Sequence, residues 1–144
     1  MGRNKWLSYL SYSVALLFYI IISNRILGYF KNQAQMTFKN LPYMLWSIVI
    51  FIVLGLLLGL ESFLLEKRKN GKWKINLPKL LFLGIPALYF SIGIFIYYSP
   101  IDFIRETLGY PYLLFSKSNI NFIPIFQIIF GYIISTSFIK EEFK

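Results

Sequence analysis

The sequence predicts an all-α integral membrane protein, a bundle of four transmembrane helices with a short interfacial helix in the third loop. Composition is the first indication. Hydrophobic residues make up 57% of the 144 residues and charged residues only 15%, whereas soluble domains average roughly 45–50% and about 25%. A soluble domain of this length cannot bury so much apolar surface, and a disordered chain would be poor in such residues. The second indication is that four long segments of the chain contain no charged residue, so that all the charged residues fall between or beyond these segments.

Each uncharged segment has a length that suits a membrane span. A helix needs about 20 residues to cross about 30 Å of hydrocarbon. Runs such as 48–54 do not alternate between polar and apolar residues, as the strands of a membrane barrel would. We therefore expect a single domain over residues 1–144, with helices near residues 6–23, 41–65, 80–98 and 120–139.

The first three helices have recognisable starting signals. Arg3 and Lys5 precede the first apolar run, and no small-residue cleavage site follows it. This pattern favours an uncleaved signal-anchor helix over a removed signal peptide. Asn40 and Asn76 can each cap a helix through the side-chain oxygen. The proline two residues after each of them is tolerated in the first turn of that helix. The Asn70-Gly71 pair predicts a turn after the second helix.

The third loop, residues 99–119, carries signals of a short helix. Ser99 can cap it, Pro100 suits its first position, and Asp102 suits its first turn. Gly109 and Pro111 would end it. We expect two turns lying on the outer membrane surface, followed by an aromatic stretch that dips into the interface or re-enters the bilayer.

Lysine and arginine predict the orientation. With the N-terminus inside, ten basic residues fall on the cytoplasmic side and five outside, which favours both termini in the cytoplasm. The loop 66–79 dominates this difference. The sequence is rich in Lys, Asn, Ile, Phe and Tyr and has only three alanines. This composition suggests an AT-rich coding sequence, consistent with a bacterial protein of the plasma membrane.

The residue types that are missing restrict the chemistry. The chain has no Cys and no His, which excludes disulfides, Cys/His zinc sites and imidazole catalysis within it. We expect no cofactor and no metal. The net charge of +9 does not indicate nucleic-acid binding, since no nucleic-acid-binding module surrounds the charges. The expected partners are membrane lipids, with other membrane proteins or a second copy of the chain as further candidates.

Small and polar residues within the helices are candidates for helix packing. Gly55 and Gly59 form a GxxxG pattern, which lets another helix approach closely, either within the bundle or in a dimer. The first helix has its own small stripe at Ser8, Ser11 and Ala15, and the third has Gly84, Ala87 and Ser91. In the fourth helix, Gln127 and Gly131 belong to a weakly polar stripe that continues to Ser135. Such a stripe, beside kinks at Pro86 and Pro124, suits either packing or a solute path.

Charged residues near the inner face are the other candidates. Glu61 is the acid nearest the apolar core, where it could bind a cation or a partner helix, or simply reach interfacial water. The loop cations can attract anionic lipid, with a tryptophan among them at headgroup level. This candidate lipid-contact set is Lys67, Arg68, Lys69, Lys72, Trp73 and Lys74.

Three functions fit these features. Sparse chemistry and abundant packing signals favour a non-enzymatic interaction or regulatory subunit of a membrane complex. The alternative is a small oligomeric transporter or channel component, with Glu61 and Gln127 along the path. A second alternative is a lipid-modifying enzyme that uses Asp102 and Glu106, which lie four residues apart on the outer helix.

Overall fold

The computed structural model describes residues 2–117 and 121–141, with side chains from Trp6 onward. The fold is mostly helical (83%). Three helical segments are long and apolar enough to cross a membrane: Trp6–Thr37, Leu41–Arg68 and Leu77–Tyr97. The fourth uncharged segment forms a shorter apolar helix.

The elements follow one another as six helices and two strands in the described part of the chain. The chain divides into two compact units, Met1–Ile50 and Phe51–Lys144. In order, the elements are α1 (Gly2–Thr37), α2 (Leu41–Arg68), β1 (Lys72–Ile75), α3 (Leu77–Tyr97), α4 (Asp102–Thr107), α5 (Gly109–Ser116), α6 (Ile123–Ser137) and β2 (Phe138–Glu141).

Helix α1 dominates the first unit and is longer than its uncharged segment. It continues beyond residue 23, because residues 24–37 contain no proline to break the backbone hydrogen bonds. It ends where Phe38 adopts a positive φ of 56°. The Tyr19 hydroxyl donates to the carbonyl of Ile50 (2.7 Å), and Phe30 stacks on Trp46 at 5.4 Å. These contacts hold α1 against the first turns of α2.

Helix α3 begins with the predicted cap and contains an unusual turn. The Asn76 side-chain oxygen accepts from the Lys79 backbone N–H (3.2 Å), with Pro78 in the first turn. A π-helical turn, Leu80–Gly84, then precedes the α-helical segment Ile85–Tyr97. Pro86 lacks an N–H, so a normal turn would lose one backbone hydrogen bond here. The π-turn lies just before Pro86, in the region where the proline predicted a kink.

The third loop folds into two short helices rather than one. Helix α4 begins at Asp102, and the Ser99 hydroxyl accepts from Ile101 N–H (3.3 Å) without capping the helix. Helix α4 ends at Thr107, two residues before Gly109, and Gly109 also begins α5. Helix α5 packs along α3, with the Tyr112 ring lying against Gly93, where a side chain would collide with it.

A two-stranded antiparallel ribbon was not predicted and is a departure from the expected all-α fold. Strands β1 and β2 pair in the register Lys72 to Glu141 and Ile75 to Phe138. The Asn76 N–H also donates to the Ser137 carbonyl (2.8 Å). Because the chain enters β2 directly after α6, that helix ends at Ser137 rather than near residue 139. We call β1 and β2 together the ribbon.

Candidate functional site

One face of the ribbon carries an aromatic and cationic cluster. Trp73 stacks on Phe63 of α2 with ring centroids 5.5 Å apart and an interplanar angle of 17°. Phe63 meets Phe138 edge-on at 6.3 Å. The Lys140 ammonium lies 5.1 Å from the centroid of the Trp73 ring, within the range of a cation–π interaction. The tryptophan expected at headgroup level is thus partly packed against α2, with 48% of its surface exposed.

Polar contacts fasten β2 to the end of α2. The Glu66 carboxylate accepts from the backbone N–H of Lys140 (3.0 Å) and forms an ion pair with Lys69. The Lys140 ammonium donates to the carbonyls of Lys67 (2.9 Å) and Lys69 (2.7 Å). The last carbonyls of a helix lack intrahelical partners and favour a cation. Glu66 and Lys140 therefore form a latch that joins two distant parts of the sequence.

The candidate lipid-contact set lies around this latch. All six of its side chains are exposed, and Lys74 pairs with Glu141 across the ribbon (3.0 Å). The segments 66–79 and 138–141 together contain seven cations and two carboxylates. The structure thus brings the predicted residues to one strongly basic end of the second unit and adds Lys140 to them.

The glycines of α2 and α6 lie at a close crossing of the two helices. A Cβ on Gly131 would lie 2.9 Å from the Leu56 nitrogen and 3.0 Å from the Gly55 Cα, and one on Gly55 would lie 2.8 Å from the Tyr132 nitrogen. Gly59 faces Ser135, whose hydroxyl donates to the Leu56 carbonyl (3.0 Å). Gly55, Gly59 and Gly131 thus serve contact between helices of the same unit.

Gln127 forms a buried polar contact with α3. Gln127 is 3% exposed and Ser91 is 1% exposed. The Gln127 amide nitrogen donates to the Ser91 carbonyl (3.3 Å), and the Ser91 hydroxyl donates to the Ala87 carbonyl (2.6 Å). The Gln127 side-chain oxygen has no hydrogen-bond partner among the described residues. Leaving such an acceptor buried costs about 1–3 kcal/mol.

The remaining acidic candidates are separated from these contacts. Glu61 is exposed and forms no ion pair within residues 2–117 and 121–141. Asp102 pairs with Arg105 (2.6 Å), and Glu106 is exposed. The described residues contain no group of three or more potential metal ligands. In helix α5, burial and, to a lesser extent, the neighbouring Tyr98 raise the pKa of the Tyr112 hydroxyl above its usual value.

The fold defines a helical protein with three helices able to span a membrane and a basic ribbon at the end of its second unit. Searches against protein-family models, curated proteins and solved structures find no significant match to this chain.

Proposed function

We propose that this chain is a four-pass protein of a bacterial plasma membrane that acts as a non-enzymatic interaction or regulatory subunit of a membrane complex. Both termini lie in the cytoplasm, because basic segments such as the ribbon remain on the cytoplasmic side of a membrane. Helix α6 is the fourth span. Its 15 residues extend about 22 Å, and a bilayer accommodates a short span by local thinning.

The observation that carries this proposal is the uncovered surface of α1. Only 6% of its most apolar window is buried, against 17% for α2 and 22% for α3. Ser8, Ser11 and Ala15 follow one face of this helix, and all three are exposed. Small residues allow membrane helices to approach closely. The corresponding residues of α2 and α6 are already used within the second unit, whereas no element that the structure describes in the first unit covers the α1 stripe, which can therefore accept a helix of a partner protein.

Crosslinking from α1 tests this proposal, and the absence of native cysteine makes it specific. Ala15→Cys on the stripe and Leu17→Cys on the opposite face are compared in native membranes with a bifunctional thiol reagent. We expect Ala15→Cys to give a discrete adduct with a second protein and Leu17→Cys to give little of it. Ala15→Trp should then abolish co-purification of that protein, while Leu17→Trp should not. Identical products from both positions would contradict the proposal.

The buried Gln127 favours a second candidate, a small oligomeric transporter or channel component. Its unpaired oxygen could contact a solute or ion, because polar groups inside membrane proteins commonly mark solute pathways. A continuous aqueous path would make Gln127→Cys and Ser91→Cys react with water-soluble thiol reagents. Protection of both positions would exclude this candidate. A crosslinked adduct of Ala15→Cys at twice the mass of this chain would favour it over the subunit proposal.

A further inference from the structure

An apolar groove in the second unit runs between α3 and α6 and reaches the ribbon. Its volume is about 420 Å³. Leu81, Gly84 and Leu88 line it from α3, Ile134 lines it from α6, and the paired strand residues Ile75 and Phe138 line its ribbon end. From Leu80 to Leu88 the groove follows α3 for about 12 Å. Only a hydrocarbon occupant suits this lining, because the one hydroxyl there, of Ser137, already donates to the Ile133 carbonyl (2.6 Å).

The space at Gly84 is not required by helix packing. A Cβ there would meet Leu80 Cδ1 at 3.5 Å and Ile133 Cγ2 at 3.6 Å, which are ordinary contacts. The glycines at the α2–α6 crossing, by contrast, face backbone atoms with no room for a Cβ. Gly84 also ends the π-turn Leu80–Gly84, which supplies part of the groove wall. Single π-turns within α-helices occur frequently at functional sites.

The charge at the ribbon end indicates which hydrocarbon fits. Segments 66–79 and 138–141, which contribute the lining residues Ile75 and Phe138, carry an excess of five positive charges. Lys79 directly precedes the lining residue Leu80. Its ammonium donates to the hydroxyl of Thr136 (2.5 Å), the residue before the lining residue Ser137. No carboxylate among the described residues forms an ion pair with Lys79. Basic residues at a membrane surface attract anionic headgroups. A molecule with an apolar chain and an anionic head complements both parts of this site.

We propose that the groove holds one acyl chain of an anionic phospholipid whose phosphate lies at the basic ribbon. The acyl chain lies along α3 between Leu81 and Leu88, and the excess positive charge of segments 66–79 and 138–141 neutralises the headgroup. This lipid fills the groove left by the π-turn and joins the ribbon to α3 and α6. The proposal concerns the second unit alone and does not depend on a protein partner of α1.

Native mass spectrometry of the delipidated full chain in detergent tests this site. The probes are phosphatidylglycerol and phosphatidylcholine with identical acyl chains, each titrated at low lipid-to-protein ratio. We expect one phosphatidylglycerol to be retained, with about tenfold weaker retention of phosphatidylcholine. Gly84→Leu, which places a side chain in the groove, should remove this single bound lipid. Gly28→Leu is the matched control, because Gly28 has nothing within 4 Å of an added Cβ, and it should retain the lipid.

A second variant guards against misfolding of Gly84→Leu. Leu81→Trp enlarges an exposed lining residue of the same groove and should weaken lipid retention while the far-UV circular dichroism stays helical. Equal retention of the two lipids would overturn the proposal, since it would indicate ordinary annular lipid. Retention of phosphatidylglycerol by both groove variants at the wild-type level would overturn it as well.

Discussion

The close crossing of α2 and α6 predicts that Gly131→Ala destabilises the second unit strongly for a change of one methyl group. The added Cβ would lie 2.9 Å from the Leu56 nitrogen and 3.0 Å from the Gly55 Cα, and closer still to the Ile52 carbonyl oxygen. Nonbonded carbon atoms prefer about 3.5–4.0 Å, so the two backbones must separate. Overpacking costs about 1–3 kcal/mol, and we expect about 3 kcal/mol here because backbone cannot move aside as a side chain can.

Gly84→Ala is the matched control for this measurement. Its Cβ makes only ordinary contacts at 3.5 Å or more, and alanine is the better helix former by about 1 kcal/mol. We therefore expect Gly84→Ala to be neutral or slightly stabilising. Unfolding is followed in mixed detergent micelles by the fluorescence of Trp73 in a Trp6→Phe/Trp46→Phe background, which reports on the second unit. Equal unfolding free energies for Gly131→Ala and Gly84→Ala would refute the assignment of this crossing.

Three further predictions concern polar contacts. Glu66→Ala should speed amide exchange in strand β2, because the N–H of Lys140 loses its acceptor; Glu61→Ala is the control, and equal exchange in the two variants would disprove the latch. The raised pKa of the buried Tyr112 hydroxyl means that the folded state holds this proton more tightly than the unfolded state does, so the free energy of unfolding falls as the pH rises above 10. Tyr112→Phe should lessen this fall, and a pH profile of stability that is the same in the variant and the wild type would contradict the prediction. Gln127→Leu removes an unpaired buried acceptor together with one hydrogen bond, so its unfolding free energy should stay within about 1 kcal/mol of wild type; a loss well beyond that would reveal a partner for the oxygen.

The apolar helices could be predicted because the length and the hydrophobicity of a segment are local properties of the sequence. The end of α1 could not be predicted from them. Arg25 and Lys31 suggested a loop after residue 23, but charge does not interrupt the backbone hydrogen bonds of a helix, and α1 continues to Thr37. The cap at Asn76 was predictable, since it depends on residues within one turn.

The ribbon depends on contacts between distant segments, which a single sequence barely reveals. Its one local signal is the alternation of polar and apolar residues in Lys72–Ile75, a segment of only four residues. The strand partner begins at Phe138, and the acceptor of the Lys140 N–H is Glu66 of α2. Neither pairing has a sequence spacing that would indicate it.

The GxxxG pattern predicted a close contact between helices but did not indicate which helix is the partner. Packing within the chain and packing in a dimer were both open, because Gly55 and Gly59 offer the same flat face to either. In the structure, Gly131 and Ser135 occupy that face. The unpaired oxygen of Gln127 is likewise visible only in three dimensions, since it depends on which α3 groups surround it.

The most direct test of the membrane arrangement is the side from which introduced cysteines can be labelled. Asp102→Cys at the start of α4 and Asn70→Cys beside the ribbon lie beyond opposite ends of α3, in a chain without native cysteine. With a membrane-impermeant maleimide, we expect Asp102→Cys to react in intact cells and Asn70→Cys to react only after permeabilisation. Labelling of both positions from the same side would contradict the claim that α3 crosses the membrane, and the reverse pattern would contradict the proposed orientation.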